Sequence, residues 1–396
     1  MRKGIFALLT LLLLLALCPA QAETAKNMAN KCKFTSSGGG EKHLLSDRGC
    51  AYSFTTRESL NPYLIVKTPS GKLCHGLYIS WDIVPECWEL KALDENDQWV
   101  TIHTGGSGGF AHEYVPVPGL SQMCIQVAGD QPARLSIQEL TVLGEGELPD
   151  NIQLWEPTPE KADLLVLSAH PDDEYIFMGG TIPYYVGERG LEVAVCYMTY
   201  ANTWRRTELL NGLWHAGVRK YPVLLENVDH NSRSLVNAYS AWDRDDVLAQ
   251  VTQVLNTLRP EVVVTHDIEG EYGHGAHRVC ADLMMEYVGR QQTDASLWPV
   301  KKLYLHLYPE NEIDMDWRVP LEHFGGKTAL KVAAEAFEYH ASQRNSSAKY
   351  NGEEFVFEVR DDGYFDNSLF GLYYTAVGPD VAKNDMMENI PLETQP

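Results

Sequence analysis

Hydrophobic and polar positions follow two different patterns along the chain. In the first pattern, short segments rich in β-branched and aromatic residues alternate with turn-forming sequences, as at residues 63–67, 87–93 and 99–102. Glycine, proline, asparagine and aspartate occupy the turns, for example at residues 105–109, and no long helical period occurs. This pattern predicts an antiparallel β-sandwich over residues 23–146.

The second pattern begins after a polar, proline-containing segment, residues 147–161, which we interpret as a linker. Nearly continuous apolar runs at residues 164–169, 190–197 and 261–266 are typical of strands that are buried on both faces. Such strands are found mainly in parallel sheets with helices on both sides. The runs therefore predict a parallel sheet in this part of the chain.

Helical patterns lie between these predicted strands. Residues 206–216 have helical character, and residues 245–258 place their apolar side chains along one helical face. Alternating strands and helices predict a Rossmann-like α/β domain over residues 162–396. Two late strand-like segments, residues 355–359 and 370–374, are expected to fold onto the same domain.

The first 22 residues have the features of a secretory signal peptide. Arg2 and Lys3 precede an apolar run over residues 5–17, and a small-x-small sequence ends at Ala22. The run is too short to span a bilayer comfortably, and no second candidate span follows. We therefore predict a secreted protein without a membrane span, cleaved near Ala22.

Acidic residues outnumber basic ones by 54 to 32, which gives a formal net charge of -22. Loss of Arg2 and Lys3 with the signal would take the charge to about -24. A surface this acidic repels phosphate backbones and anionic lipid, which argues against nucleic-acid or membrane-surface binding. A neutral or weakly charged substrate fits this surface better.

Cysteines are concentrated in the first third of the chain. Of the eight, five lie there after the predicted signal: Cys32, Cys50, Cys74, Cys87 and Cys124. Export to an oxidising compartment permits disulfides, so we predict one or two bridges in the N-terminal region without assigning partners.

Residues with the chemistry of a metal site follow the first apolar run. His170 and Asp173 are three residues apart, so both side chains can face one point in a tight turn and share a metal ion. Asp172, between them, would point elsewhere and remain available to accept a proton. The alternative is an ordinary loop that ends in a helix cap, because Asp and Glu favour first turns.

A second group of this kind follows the predicted strand that ends at His266. His274 and His277 are again three residues apart, within a loop that covers residues 267–277. Loops that leave the same edge of a parallel sheet can converge, and three protein ligands with one open position are typical of catalytic zinc. The alternative is a histidine-rich surface loop. It requires that two pairs of potential metal ligands, each three residues apart and each after a predicted strand, occur by chance.

The residues 169–174, 178–181 and 272–277 together resemble the motifs of the PIG-L (LmbE-like) zinc-dependent deacetylases, and the likeness extends over residues 162–343. The resemblance implies that three side chains bind Zn²⁺: His170, Asp173 and His277. It also implies that Asp172 is the general base and that Tyr272 and a protonated His274 stabilise the oxyanion.

Two further points depend on this resemblance. Gly275-Ala276 stands where family members often carry Pro-Asp, which removes a carboxylate that could orient a nearby histidine. Arg205 and Glu208 begin a predicted helix, where the resemblance suggests that Arg205 contacts substrate and the alternative is a surface ion pair. Three isolated histidines are interpreted as structural: His215, His230 and His306.

The function implied is that of a secreted, bacterial-type hydrolase that removes an N-acyl group, an acetyl group in particular, from an N-acetylated amino sugar or glycan. The sandwich resembles the discoidin-like or carbohydrate-binding domains of secreted glycan enzymes. Two alternatives remain: a zinc amidase that acts on another amide or conjugate, and a glycan-binding protein without catalysis. The complete set of site residues argues against the second alternative.

Overall fold

The computed structural model describes residues 23–106, 108–344, 348–350, 352, 355–359 and 363–392, without the side chains of 355–359 and 363–364. The predicted signal peptide lies outside the described residues.

The N-terminal part of the chain forms two facing antiparallel sheets. Its strands are β1 (Lys33–Ser36), β2 (Phe54–Thr55), β3 (Ser59–Leu60), β4 (Tyr63–Lys67), β5 (Cys74–Trp81), β6 (Cys87–Leu93), β7 (Trp99–Gly106), β8 (His112–Leu120), β9 (Gln122–Val127), β10 (Pro132–Ala133) and β11 (Ser136–Leu143). One sheet has the order β1-β4-β9-β6-β7 and the other β2-β11-β5-β8. Trp81 and Trp88 lie edge to face between them, with both side chains fully buried. The predicted β-sandwich is confirmed.

The prediction of disulfides is wrong for this structure. All seven cysteines in the described part of the chain are free. Cys74 and Cys32 each direct their sulfur to a backbone carbonyl of their own segment, of Gly76 and Met28 respectively. Burial raises the pKa of the Cys74 thiol to about 12, so it behaves as a small apolar group. The spacing of the cysteines along the sequence does not show in which direction each thiol points in the fold.

The C-terminal part is built on a seven-stranded sheet with smaller sheets beside it. Its strands are β12 (Leu164–Ser168), β13 (Val193–Tyr197), β14 (Val223–Leu224), β15 (Val262–Thr265), β16 (Lys302–His306), β17 (Glu312–Asp314), β18 (Pro320–Leu321), β19 (Lys327–Thr328), β20 (Ala348–Tyr350), β21 (Phe355–Val359), β22 (Gly363–Tyr364) and β23 (Leu369–Thr375). The main sheet has the order β14-β13-β12-β15-β16-β23-β17. Its first five strands are parallel, as predicted, and β23 joins β16 antiparallel.

Seven α-helices accompany this sheet in the described residues. They are α1 (Asp173–Ile176), α2 (Thr181–Pro183), α3 (Thr203–His215), α4 (Leu235–Ala241), α5 (Arg244–Leu258), α6 (Gly275–Arg290) and α7 (Ala329–Phe337). Short 3-10 or π segments occur at Ala29–Lys31, Lys42–Leu45, Tyr184–Glu188, Glu322–Phe324 and Ala341–Gln343. The apolar face predicted for residues 245–258 is buried in α5, and Asp243 caps this helix by accepting from the backbone N–H of Asp246.

The strand order places the carboxyl ends of β12 and β15 side by side. From β12 the chain passes to β13 on one side of the sheet, and β15 then pairs with β12 on the other side. All residues of both strands are buried, as the apolar runs predicted. The order therefore reverses between these two strands, and ligands of open α/β sheets bind at such a point.

The segment between the two sheet systems, residues 147–161, is packed rather than free. The Trp155 side chain is buried, with its ring edge to face against Trp214 and Tyr221. Gln153 is also buried and contacts His112 of the sandwich, where its Oε1 lies 2.7 Å from Nδ1. The two halves of the chain are thus in direct contact along this segment.

Candidate metal centre

The loop after β12 brings His170 and Asp173 together, as their spacing predicted. Oδ2 of Asp173 accepts a hydrogen bond from the backbone N–H of His170 at 2.8 Å and lies 3.0 Å from its Nδ1. Both residues are buried. Asp172, between them, has a φ of 102°, a region that side-chain-bearing residues rarely adopt. Backbone strain of this kind is concentrated at functional sites.

The loop after β15 delivers His274 and His277 to the same place. His274 precedes α6, and His277 lies in its first turn with Nε2 3.3 Å from Oδ2 of Asp173. The ring centroid of His274 lies 4.7 Å from those of both His170 and His277. The two loops therefore converge, as expected from the parallel sheet.

Gly275 shows why proline does not occur at this position. Its backbone N–H donates to the carbonyl of Ser232 at 2.9 Å, a bond that proline cannot make. A Cβ at Gly275 would also collide with the side chain of Ser232 and lie 2.9 Å from the carbonyl oxygen of Ser234. The neighbouring loop thus occupies the space that a larger residue would need.

Two groups of side chains could hold a metal ion, and they share His277: His170, His274 and His277, and Asp173, His266 and His277. Nε2 of His266 already accepts from the backbone N–H of Ala169 at 3.0 Å, so its lone pair is occupied. Nε2 of His277, in contrast, is buried without a hydrogen-bond partner among the described residues. A buried, unpartnered nitrogen beside a carboxylate fits a metal ligand, so the residues present fit the zinc that the motif implies.

Glu271 is a central residue of the site that the sequence interpretation missed. Its carboxylate oxygens lie 2.6 Å from Nδ1 of His277, 3.0 Å from Nδ1 of His306 and 3.2 Å from Nδ1 of His266. Although burial opposes this, the imidazoles of His266 and His277 hold its pKa well below the ordinary value. From the sequence, His306 is interpreted as an isolated structural histidine. Its position at the carboxyl end of β16, the edge of the sheet where the site lies, is the feature that could have indicated its part in the site.

Arg205 lines the cavity and contacts the predicted base, Asp172. Its Nη2 lies 3.0 Å from Oδ1 of Asp172 and also donates to the carbonyl of Pro171. Glu208 is not in a surface ion pair: it is buried, and Oε1 accepts from the backbone N–H of Ser342 at 2.7 Å. The structure therefore brings Arg205 to the cavity, and its contact with substrate stays a prediction.

The pKa values of the two neighbouring carboxylates are shifted in opposite directions, and the pKa of His274 is lowered. Burial raises the pKa of Asp172 to about 8, against the opposing effect of Arg205. Burial would also raise the pKa of Asp173, but His277 and His170 hold it well below its ordinary value. Burial, with the nearby His277 and His170, lowers the pKa of His274 to about 2. This low pKa favours the neutral form of His274, whereas the resemblance implied a protonated form.

A cavity of about 410 Å³ opens onto these side chains. The segment 229–233 forms one wall, where Oδ1 of Asp229 lies 3.6 Å from Nε2 of His170. Tyr272 forms another wall, and burial and nearby carboxylates raise the pKa of its hydroxyl, which stays protonated. His230, interpreted from the sequence as structural, also lines this cavity.

The family model PIG-L, described as GlcNAc-PI de-N-acetylase, matches residues 165–288. These residues contain both loops of the site. Residues 165–288 therefore form a PIG-L domain.

Relatives of the PIG-L domain carry one enzyme name. The 1D-myo-inositol 2-acetamido-2-deoxy-alpha-D-glucopyranoside deacetylase of Mycolicibacterium smegmatis is 30% identical over 173 residues, 37% of this chain and 59% of that protein. The enzyme of the same name from Rhodococcus opacus is 32% identical over 180 residues, 36% of this chain and 60% of that protein. The chain thus spans about three fifths of the length of these relatives.

Outside the PIG-L domain, the chain is similar to a solved family 32 CBM from C. perfringens NanJ in complex with galactose. The identity is 14%, the TM-score is 0.26, and the likeness covers 30% of this chain and 98% of that one. No helix in the described part of the chain is both long and apolar enough to cross a membrane.

Proposed function

We propose that this protein is a secreted zinc-dependent deacetylase that hydrolyses the N-acetyl group of an N-acetylated amino sugar or glycan. The observation that carries the proposal is the unpartnered Nε2 of His277 beside Asp173, with Asp172 held at the same cavity by Arg205. The names of the bacterial relatives support the choice of an acetylated amino sugar. We also assign the sheet to the Rossmann-like class, because its order starts at a central strand and reverses once.

In this proposal the metal ligands are His170, Asp173 and His277. These residues supply two imidazoles and one carboxylate, a donor set that suits zinc and leaves a position for other ligands. When bound, zinc polarises an amide carbonyl and lowers the pKa of water. Glu271 fixes the ring orientation of His277, because its carboxylate accepts from Nδ1 and leaves Nε2 directed to Asp173.

Asp172 acts as the general base. Its Oδ1 is held by Arg205, and no described residue donates a hydrogen bond to its Oδ2. The carboxylate takes a proton from the attacking water as the water oxygen bonds to the carbonyl carbon. The same proton then passes to the leaving nitrogen when the C–N bond breaks, which gives acetic acid and a free amine. The acid ionises to acetate, and its proton passes to the amine or to solvent.

Tyr272 and His274 stabilise the negative charge that develops on the carbonyl oxygen. Tyr272 keeps its proton and can donate a hydrogen bond from the cavity wall. His274 acts as a neutral donor, since its pKa is low. Donors already directed at the cavity need no reorganisation during the reaction, which is why such groups contribute strongly to catalysis.

The proposal also covers the rest of the chain. Residues 1–22 are proposed as a signal peptide, residues 23–146 as a glycan-binding sandwich, residues 147–161 as the connection and residues 162–396 as the catalytic domain. The net charge of -22 is compatible with a neutral glycan as substrate.

The test uses the purified chain from residue 23 onward. Bound metal is measured by elemental analysis, and released amine is measured on a panel: N-acetylglucosamine, its inositol glycoside, N-acetylglucosamine oligomers and N-acetylated amino acids. We expect about one zinc per chain and amine release from at least one amino sugar, lost on chelation and restored by zinc. Release only from the amino acids would favour the alternative amidase, and no release from any amide would reject the deacetylase.

A further inference from the structure

The first turn of α3 makes hydrogen bonds on two sides, to the loop after β12 and to the sandwich. Arg205 reaches the cavity and contacts Asp172 and Pro171. Two residues of the same turn, Thr203 and Arg206, bond instead to the sandwich. The helix that holds the proposed base is thus itself held by the N-terminal part of the chain.

Asp82 is the acceptor on the sandwich side. It follows directly after β5, and its Oδ2 accepts from the hydroxyls of Ser53 at 3.0 Å and Ser136 at 2.7 Å. Its Oδ1 accepts from the hydroxyl of Thr203 at 2.6 Å. Since the contacts of Oδ2 lie within the sandwich, Asp82 has a fixed position before it meets α3.

Arg206 makes a second connection between α3 and the sandwich. Its Nη2 donates to the carbonyl of Trp81 at 2.6 Å and to that of Asp82 at 2.8 Å. Trp81 is fully buried in the sandwich core, so these carbonyls belong to a rigid strand end. Thr207 continues the contact through its hydroxyl, which bonds to Oε1 of Gln138.

We propose that the sandwich positions the catalytic base: Asp82 and Thr203, with Arg206, are positioning residues that hold the α3 turn so that Arg205 fixes Asp172. This inference rests on the deacetylase function proposed above. It departs from the picture of an appended domain that only binds glycan, because the contacts lead from the sandwich to the base within one helical turn. Small displacements of a catalytic group reduce turnover strongly, by as much as about 10²-fold for 1 Å.

The test compares two substitutions at one position in the full chain. Thr203→Val removes the hydroxyl and keeps the shape, whereas Thr203→Ser keeps the hydroxyl. Thr257→Val is the matched control, because Thr257 is exposed on α5. For each protein, kcat and KM are measured on the smallest amino sugar that is hydrolysed, together with bound zinc and Tm.

We expect Thr203→Val to lower kcat about ten-fold while KM and bound zinc stay within about two-fold of the unsubstituted values. Thr203→Ser and Thr257→Val should retain kcat. Arg206→Gln provides a second variant with the same expected pattern of lowered kcat and unchanged zinc.

Three results would overturn the inference. A lower Tm with unchanged kcat in Thr203→Val and Arg206→Gln would mean that the contact serves stability alone. Loss of zinc in parallel with kcat would place the effect at the metal ligands, and an equal loss in Thr203→Ser would exclude the hydroxyl contact. Failure of the deacetylase function is distinguishable, because the unsubstituted chain would then release no amine.

Discussion

Oε2 of Glu271 lies 2.6 Å from Nδ1 of His277, and this contact determines which ring nitrogen of His277 is available to a metal. The ionised carboxylate can only accept, so the proton is on Nδ1 and Nε2 is directed to Asp173. The same carboxylate faces His306, whose two nitrogens both meet acceptors, Oε1 of Glu271 at 3.0 Å and the carbonyl of Asp366 at 3.1 Å.

Substitution of Glu271 should weaken metal binding without removing a ligand. We expect Glu271→Gln to lower zinc affinity by about 10–100-fold, because the amide can donate a hydrogen bond where the carboxylate only accepts. Competition with a chromogenic chelator measures this affinity. Glu269→Gln is the matched control, since the Glu269 side chain is 73% exposed. Equal affinities in the two variants would show that Glu271 does not orient His277.

The two neighbouring aspartates should respond differently to the same substitution. Asp172→Asn is expected to retain zinc and lose kcat by about 10²–10⁴-fold, as for a general base. Asp173→Asn should instead lose zinc, because an amide oxygen is a weaker ligand than a carboxylate. Bound zinc and turnover are measured on both proteins. Zinc loss in Asp172→Asn with retention in Asp173→Asn would reverse the two assignments.

Arg205→Met should change the pH dependence of hydrolysis. The guanidinium lowers the pKa of Asp172, so its removal raises that pKa. Asp172 must be ionised to accept a proton, and the rising limb of kcat/KM should therefore move to higher pH. The measurement is a pH profile with a small amino sugar. A higher KM with an unchanged profile would favour the substrate contact that the sequence suggested.

A buried ion pair should determine much of the stability of the C-terminal segment. Lys302 and Asp380 are both buried, with Nζ 2.5 Å from Oδ1, and Tyr304 donates to the other carboxylate oxygen. Asp380→Asn leaves the Lys302 charge unpaired, so we expect the free energy of unfolding to fall by about 3–5 kcal/mol. Urea unfolding tests this, with the exposed Asp130→Asn as control. A change similar to that of the control would contradict it.

The sequence predicted the architecture and the two loops of the site, because apolar runs of a buried parallel sheet are distinctive and His170, Asp173 and His277 follow such runs. It did not reveal Glu271 as an acceptor for His306, since the two residues are 35 positions apart and meet only through the sheet. The partner of Arg205 was missed for the same reason: the contact joins helix α3 to the loop after β12. Pairings of this kind depend on tertiary geometry, which local patterns do not contain.

The packed segment 147–161 has a consequence for how such proteins can recombine. Ile152 packs with Tyr78 of the sandwich, while Trp155, three residues later, packs into the core around Trp214. A genetic crossover here would separate side chains that pack against each other and expose apolar surface on both products. Exchange of the N-terminal half between relatives should therefore give a folded protein only where the residues of α3 that contact this half are exchanged with it. The two halves are then expected to evolve as one unit.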